Sequence, residues 1–135
     1  MFGIDCEDDS IHLTRGDKAE FSFYRPIMDV SSGKISNYIF KKGDKVTFIV
    51  KKKKGYAKLE DEIFRKDFII EEETPYPLIH LEGKETKWGE IKNKKTVYWF
   101  DIVVNDENTP IGYNEDGATK LYLYPEAGER EVNNE

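Results

Sequence analysis

Cysteine and histidine are scarce in this chain of 135 residues, which contains one cysteine and two histidines. A single cysteine, Cys6, cannot form an internal disulfide. A structural zinc site usually needs about four Cys or His ligands, and the two histidines, His12 and His80, lie far apart in the sequence. The sequence therefore predicts neither a metal site nor a cofactor.

Long apolar runs and a basic leader are also missing. No apolar stretch approaches the roughly 20 residues of a membrane-spanning helix. The opening sequence MFGIDCEDDS lacks the basic residues and the apolar run of a secretory signal peptide. We therefore expect a soluble protein that is made in the cytoplasm and has no membrane partner.

Positive charge is not in excess, since the formal net charge of the chain is −6. Binding to nucleic acid depends on Lys and Arg side chains that neutralise phosphates, so the sequence predicts no nucleic-acid partner. Hydrophobic residues make up 38% of the chain and aromatic residues 13%. This is enough apolar material to bury a core, which excludes a disordered chain.

Short segments with alternating apolar residues, separated by turn signals, recur along the whole chain. The strand-like segments are Ile11–Arg15, Glu20–Ile27, Tyr38–Phe40, Lys45–Lys52, Glu62–Ile70, Pro77–Leu81, Thr96–Val104 and Lys120–Tyr124. No long segment has a helical period, although one helical turn fits near Glu85–Trp88. This pattern predicts an all-β protein of about seven to nine strands, built as a sandwich or a barrel. We expect an acidic N-terminal segment over residues 1–10, a β-domain over 11–125 and a polar C-terminal tail over 126–135.

The tripeptide RGD at residues 15–17 matches a known cell-attachment signal, but the chain itself argues against that function. The sequence GDK at residues 16–18 recurs at residues 43–45, and alternating apolar residues follow both copies. Glycine adopts the positive φ that tight turns require, and aspartate hydrogen-bonds nearby backbone groups. We therefore interpret four residues as turn-forming: Gly16, Asp17, Gly43 and Asp44.

A catalytic constellation is not recognisable in the sequence. Cys6 lies in the acidic stretch CEDD, which would raise its thiol pKa and lower its reactivity. The serines lack the context of a nucleophile elbow, and His12 and His80 are more typical of surface or packed histidines. We expect no enzymatic activity, with a small hydrolase as the weakest alternative.

Aromatic side chains late in the chain are candidates for contacts with a partner. Tyr122 and Tyr124 alternate with Leu121 and Leu123, which we expect to face the core, so the two tyrosines should point outward. Trp88 lies in the polar stretch EGKETKWGEIKNKK. We therefore take Trp88, Tyr122 and Tyr124 as candidate protein contacts. Stacking of such rings on sugars is the alternative.

Four segments in this order resemble one family: IHLTRGDKAEFSF, FKKGDKVTFIVKKK, YWFDIVVN and LYLYPEAGE. They are similar to small tail or baseplate proteins of phages and prophages of Gram-positive bacteria, and in particular to the N-terminal domain of the upper baseplate protein. The resemblance runs from about Ile11 to Glu129. It implies an antiparallel, immunoglobulin-like β-sandwich with no catalytic residues to transfer.

The resemblance also implies a function. It predicts a non-catalytic structural protein that docks to other phage tail or baseplate proteins and forms a homo-oligomer in the assembled particle. Such a protein would be found in the host cytoplasm during assembly and then in the virion tail. The alternative is a carbohydrate-binding module that recognises polysaccharide of the host wall.

Overall fold

The computed structural model describes residues 1–53, 61–89, 94–106 and 119–126 of the chain. Within these ranges the protein has ten strands, one 3-10 turn and no α-helix. The elements are β1 (Phe2–Ile4), β2 (Ile11–Thr14), β3 (Ala19–Ser22), β4 (Pro26–Met28), β5 (Ile35–Asn37), β6 (Lys45–Lys51), β7 (Glu62–Ile69), β8 (Leu78–Leu81), the 3-10 turn (Gly83–Glu85), β9 (Thr96–Val104) and β10 (Thr119–Tyr124). The predicted all-β class is confirmed. Of the tail predicted for 126–135, residues 127–135 lie outside the described ranges.

Six strands form the main sheet, in the order β1-β2-β10-β9-β6-β7. All neighbours in this sheet are antiparallel except β2 and β10, which run parallel, with Leu121 opposite Ile11 and Leu123 opposite Leu13. Two parallel strands cannot be joined by a tight hairpin and need a longer connection. Here β2 and β10 come from opposite ends of the chain. The sheet is therefore antiparallel-rich rather than wholly antiparallel.

A second, smaller layer is built from two strand pairs. β3 pairs with β8, and β4 pairs with β5, both antiparallel. The segment predicted as one strand, Glu20–Ile27, thus consists of β3 and β4 with a change of partner between them. Pro26 has no amide hydrogen with which to donate to a neighbouring strand. It lies at the start of β4, where the chain has left its partner β8 and begins to pair with β5. At the base of the β4–β5 hairpin, the Tyr38 amide donates to the carbonyl of Arg25 at 2.8 Å.

Phenylalanine rings join the two layers in a shared core. Phe48 of β6 is fully buried and contacts Phe21 of β3, with ring centroids 5.9 Å apart. On its own sheet Phe48 also lies 5.7 Å from Phe100 of β9. Phe23 and Phe40 form a further edge-to-face pair at 5.5 Å, a favoured geometry for aromatic rings. Two layers that bury one core between them are consistent with the predicted β-sandwich.

The first residues of the chain belong to the main sheet, which the sequence analysis did not predict. Within the predicted acidic segment 1–10, Phe2–Ile4 forms β1 and pairs antiparallel with β2. The Phe2 ring stacks on Phe21 at 5.8 Å, so the core extends to this edge. Three residues are too few to show an alternating pattern, which is why the strand was missed. Cys6, in the turn that follows, is exposed and has a free thiol.

Both GDK sequences form the same turn. The Asp17 amide donates to the carbonyl of Thr14, and the Asp44 amide donates to the carbonyl of Lys41, each at 3.0 Å. The glycine at the third position has a φ of +90° at Gly16 and +96° at Gly43. A positive φ confined to the third residue is typical of a type II turn, which favours glycine there.

The two aspartates of these turns make different side-chain contacts. The Asp44 carboxylate accepts hydrogen bonds from the Lys41 amide at 2.9 Å, from the Tyr38 hydroxyl at 2.9 Å and from the Asn105 side chain at 3.2 Å. The Lys41 amide is the largest of the influences that hold the pKa of Asp44 below its ordinary value, with Tyr38 and Asn105 adding to it against partial burial. The Asp17 carboxylate instead contacts the amino group of Met1.

Replacing either turn glycine by alanine should destabilise the fold. An L-residue in this backbone region costs about 1–2 kcal/mol, so Gly16→Ala and Gly43→Ala should each lower the free energy of unfolding by about that amount in urea titrations. Gly3→Ala is the matched control, because Gly3 lies in β1 without a positive φ and an added Cβ meets nothing within 4 Å. Equal stability of all three variants would contradict the turn assignment.

Candidate interaction surfaces

Tyr122 and Tyr124 lie on the outer face of the main sheet, opposite the buried Leu121 and Leu123. Both tyrosines are half-buried because their rings stack on His12 of β2, at centroid distances of 4.8 Å and 5.9 Å. The Tyr124 hydroxyl also lies 2.9 Å from Nδ1 of His12. These tyrosines point away from the core, as the alternation predicts, but part of their surface is already used within the chain.

Ser10 also belongs to this cluster, and its burial bears on whether the cluster could be catalytic. Ser10 Oγ lies 3.1 Å from Nε2 of His12, a distance that a nucleophile and its base would also show. However, Ser10 is only 1% exposed. Its amide donates to the Asp8 carboxylate at 3.0 Å, and the influence of its side chain is the largest of those that lower the pKa of Asp8. A substrate cannot reach Oγ, so the arrangement orients the His12 ring between Ser10 and Tyr124.

Trp88, which was predicted as a protein contact, is a buried residue and not a surface one. It is 6% exposed and its ring packs against Phe64 of β7 at 5.3 Å. The burial of Trp88 is explained by Thr86, two residues earlier, which is fully buried. Thr86 Oγ1 accepts from the Gly16 amide at 3.0 Å and donates to the Asp17 carbonyl at 2.9 Å. This anchor draws the segment onto the first GDK turn and turns Trp88 towards the core.

The RGD tripeptide is engaged in the same region. The Arg15 guanidinium donates to the backbone carbonyls of Trp88 and Lys87, at 3.3 Å and 3.4 Å. These contacts link the first GDK turn to the segment that follows the 3-10 turn. The charged ends of the tripeptide therefore have internal structural contacts, in keeping with its interpretation as a turn.

An apolar strip covers the outer face of the smaller layer. Its residues are Tyr24, Pro26, Met28, Ile35, Tyr76 and Leu78. Apart from Pro26, which is also exposed, their exposed fractions lie between 53% and 62%. Leu78 lies opposite Ser22 in the β3–β8 pair, and Ile35 lies opposite Met28 in the β4–β5 pair. Tyr24 lies between β3 and β4, and Tyr76 lies just before β8.

The apolar strip stays exposed because the β4–β5 hairpin continues past the end of the core. Phe23 is the last buried position before the hairpin, and its amide bonds the carbonyl of Pro77 at 3.2 Å. The other side of the hairpin also exposes apolar side chains, Ile27 and, at the tip, Val30. The sequence MDVSSGKISN, residues 28–37, is not among the segments that the sequence analysis predicts as strands. The apolar residues on both sides of SSGK were the signal that could have revealed the strip.

Charged groups lie at both ends of the apolar strip. At the β8 end, His80 Nε2 is 2.7 Å from the Glu82 carboxylate and Nδ1 is 2.9 Å from that of Glu20. These two hydrogen bonds, with Glu82 the larger influence, raise the pKa of His80, while His80 lowers the pKa of Glu82. At the hairpin tip, the side chain of Lys34 forms no ion pair within the described part of the chain.

The tip also carries one acidic side chain, which is occupied locally. The Asp29 carboxylate accepts hydrogen bonds from the amide and the hydroxyl of Ser31, at 2.9 Å and 2.7 Å. The Ser31 hydroxyl is the largest influence that holds the pKa of Asp29 below its ordinary value. Within the described residues, the Lys34 ammonium at the tip therefore has no ion pair that would fix its orientation.

On the outer face of the main sheet, Lys51 of β6 forms an ion pair with Asp101 of β9 at 2.7 Å. Next to it, the Thr47 hydroxyl donates to the Asp67 carboxylate at 2.7 Å. Both contacts join neighbouring strands. A buried charge that keeps a partner avoids a large desolvation cost, so these groups are explained by the sheet itself.

The described residues include no group of metal-ligating side chains and no membrane-spanning helix. They contain no group of three or more His, Cys, Asp or Glu side chains that could hold a metal ion. No helix in the same ranges is long and apolar enough to cross a membrane. Comparison with protein-family models, with curated proteins and with solved structures found no match for this chain.

The two tyrosines of β10 should differ in their effect on stability. Tyr124→Phe removes the hydrogen bond to His12 and should lower the free energy of unfolding by about 1 kcal/mol. Tyr122→Phe keeps the ring that stacks on His12 and is the matched control, with an expected change close to zero. Urea unfolding at neutral pH measures both. A larger loss for Tyr122→Phe would contradict the network.

The His80 cluster should make stability depend on pH in one direction. Because the folded protein raises the pKa of His80 above its ordinary value of 6.5, its contribution is complete below pH 6.5 and is lost as the pH rises through the folded-state pKa. The wild type should therefore be more stable than His80→Gln at about pH 6, and the difference should shrink at alkaline pH. Thermal unfolding across this range measures it. A difference that grows with pH would contradict the cluster.

Proposed function

We propose that this chain is a non-catalytic structural module of a phage or prophage, which docks to other tail or baseplate proteins through the apolar strip. The apolar strip is the observation that supports docking. The phage context rests on the resemblance of the four sequence segments to small tail and baseplate proteins. In this proposal the protein is made in the host cytoplasm and then joins the virion tail.

The apolar strip has the composition of a protein interface. Contiguous exposed apolar patches are uncommon on monomeric proteins and mark interaction sites. Tyr24 and Tyr76 lie near its centre, and tyrosine is enriched among the residues that contribute most to binding. Burying apolar surface contributes about 25 cal/mol per Å², so covering these side chains would favour association.

The layer beneath the apolar strip provides a firm base for docking. Phe21 and Ile79, on the inner face of β3 and β8, are buried in the core. Lys66 of β7 spans the open edge between the layers, with Nζ 3.1 Å from the His80 carbonyl and 2.8 Å from the Glu85 carboxylate. A surface held from behind loses little conformational freedom on binding, which favours affinity.

Tyr122 and Tyr124 remain candidate contacts of secondary weight. Their rings are partly covered by His12, and Lys95 Nζ lies 5.0 Å from the ring centre of Tyr122. The same coverage leaves little open ring surface for a sugar. Trp88, the third ring considered for stacking on a sugar, is buried. Among the described residues, no surface feature specifically favours the carbohydrate alternative over protein docking.

Incorporation into particles tests the proposal. Tail particles from an induced culture of the source strain should contain the wild-type chain at a fixed stoichiometry, measured by mass spectrometry. The double variant Tyr24→Ser, Tyr76→Ser removes the central aromatic side chains and should reduce incorporation about tenfold or more. Its far-UV spectrum and melting temperature should stay near those of the wild type, because both side chains are exposed.

The matched control is Ile69→Ser, which removes an equally exposed apolar side chain from the edge strand β7, away from the apolar strip. This variant should enter particles as the wild type does. Assembled particles that lack the wild-type chain would refute the structural function. Equal incorporation of all three proteins would show that docking uses another surface.

A further inference from the structure

We infer that β7 pairs edge to edge with the β7 of a second copy of this chain, antiparallel and about a two-fold axis that passes beside Lys66. This edge is separate from the apolar strip, so the pairing goes beyond the proposed function. The order of the side chains along β7 supports it, because that order is complementary to its own reverse. A two-fold contact requires this property, since the same patch serves both copies.

β7 has backbone groups available for such a pairing along one side. It is the last strand of the main sheet, so no described strand pairs with its outer edge. The Ile70 amide donates to the Asp44 carbonyl, and the Ile70 carbonyl accepts from the Gly43 amide, each at 2.9 Å. Because the direction of these groups alternates along an antiparallel strand, Arg65 and Asp67 present their amides and carbonyls to the open edge.

The backbone and the side chains favour the same register. The two copies can exchange backbone bonds only where edge-facing residues lie opposite each other, which places a residue of β7, and not a peptide bond, on the axis. With Lys66 on the axis, Arg65 of each copy lies opposite Asp67 of the other. Phe64 then lies opposite Phe68. Opposite charges and aromatic rings that face each other across two strands stabilise a sheet.

The neighbouring registers are less favourable. With Arg65 on the axis two guanidinium groups meet, and with Asp67 on the axis two carboxylates meet, and like charges directly opposite each other destabilise a sheet. Both side chains are exposed. Nε and Nη2 of Arg65 bond the Glu62 carboxylate at 3.0 Å and 2.7 Å, so Nη1 can donate to Asp67 of the second copy without breaking this ion pair.

Lys66 lies on the proposed axis, and its charge is already compensated within each copy. Its Nζ is 2.8 Å from the Glu85 carboxylate, 3.1 Å from the His80 carbonyl and 5.2 Å from the ring centre of Phe68. An inward-pointing charge on an edge strand discourages pairing when it has no partner in the new interface. The ion pair with Glu85 supplies that partner, so two Lys66 side chains can lie side by side.

The size of the edge predicts a weak dimer. At about 3.3 Å per residue, the stretch from Ile63 to Ile69 spans about 23 Å, and one layer is about 10 Å thick. The contact of about 230 Å² per copy falls well below the roughly 800 Å² per partner of a standard interface. We therefore expect dimers that form only at high protein concentration.

Sedimentation equilibrium of the purified chain over a wide concentration range tests this pairing. The wild type should approach a dimer and no larger species, because a two-fold contact is closed. Arg65→Asp should weaken dimerisation about three- to tenfold, since it places like charges opposite each other twice. Lys34→Asp makes the same change of charge at the exposed hairpin tip and should leave dimerisation unchanged. A monomer at all concentrations, open assemblies, or equal effects of the two variants would overturn the inference.

A charge exchange tests the register. Asp67→Arg should also weaken the homodimer, and mixing it with Arg65→Asp should restore dimerisation, because each copy then meets the opposite charge at both positions. Asp67 accepts a hydrogen bond from Thr47, so thermal unfolding of Asp67→Arg is measured alongside. Failure of the mixture to associate better than Arg65→Asp alone would overturn this register.

Cross-linking tests the position of the axis without changing either charge. In a Cys6→Ser background, which removes the exposed native thiol, Lys66→Cys places two thiols opposite each other at a Cα separation of about 4.5 Å, which suits a disulfide. Ile69→Cys is the matched control, because its two copies would lie about 20 Å apart along the strands. Lys66→Cys should form linked dimers about tenfold or more faster than Ile69→Cys. Equal rates would overturn the axis.

These results are distinguishable from those of the incorporation experiment. Ile69 lies at the end of the paired stretch, opposite the bulge at Ile63 of the other copy. Ile69→Ser should change dimerisation less than about twofold, so it remains a control for docking through the apolar strip. If the wild type is monomeric in solution but enters particles, the pairing is refuted and the docking function stands. If the dimer forms with the predicted register but the chain is absent from particles, the pairing stands and the phage function is refuted.

Discussion

The contact between Phe21 and Phe48 is the interaction on which the two-layer structure depends. The β3–β8 pair has only two strands, and an isolated two-stranded sheet is marginally stable in water. It persists because its inner side chains, such as Phe21, share one core with β6 and β9 of the main sheet. Once that face is buried, the strand alternation leaves no freedom for the other face, which has to point outward.

The proposed function follows from this constraint. The chain leaves β3 after Ser22 and continues into β4, and Tyr24, Pro26 and Met28 along this stretch are exposed. The buried residues fix the direction in which these side chains project, while nothing in the described part of the chain covers them. A surface that is apolar, exposed and held from behind is suited to binding a partner. In the function that we propose, the tail of a phage or prophage is the setting for such contacts.

Local patterns in the sequence were sufficient for much of the fold. The alternation in Lys45–Lys52 and Thr96–Val104 predicted β6 and β9 to within a residue, and the turn glycines Gly16 and Gly43 do have a positive φ. The outward direction of Tyr122 followed from the same alternation. These features depend on neighbours within a few residues, so periodicity and backbone sterics are enough to reveal them. The apolar strip was missed because its strands are three residues long and flank a stretch rich in turn-forming residues.

The sequence by itself determined the all-β class, most strands and the two turns, because the alternation of side chains and the conformational range of glycine are local properties. Only the tertiary structure decided that β2 lies parallel to β10, that Thr86 anchors the segment which buries Trp88, and that the outer face of β3 and β8 stays uncovered. Each of these results depends on contacts between residues far apart in the chain. Which apolar side chains become core and which remain at the surface is settled by the faces that the layers cover, and no local pattern contains that information.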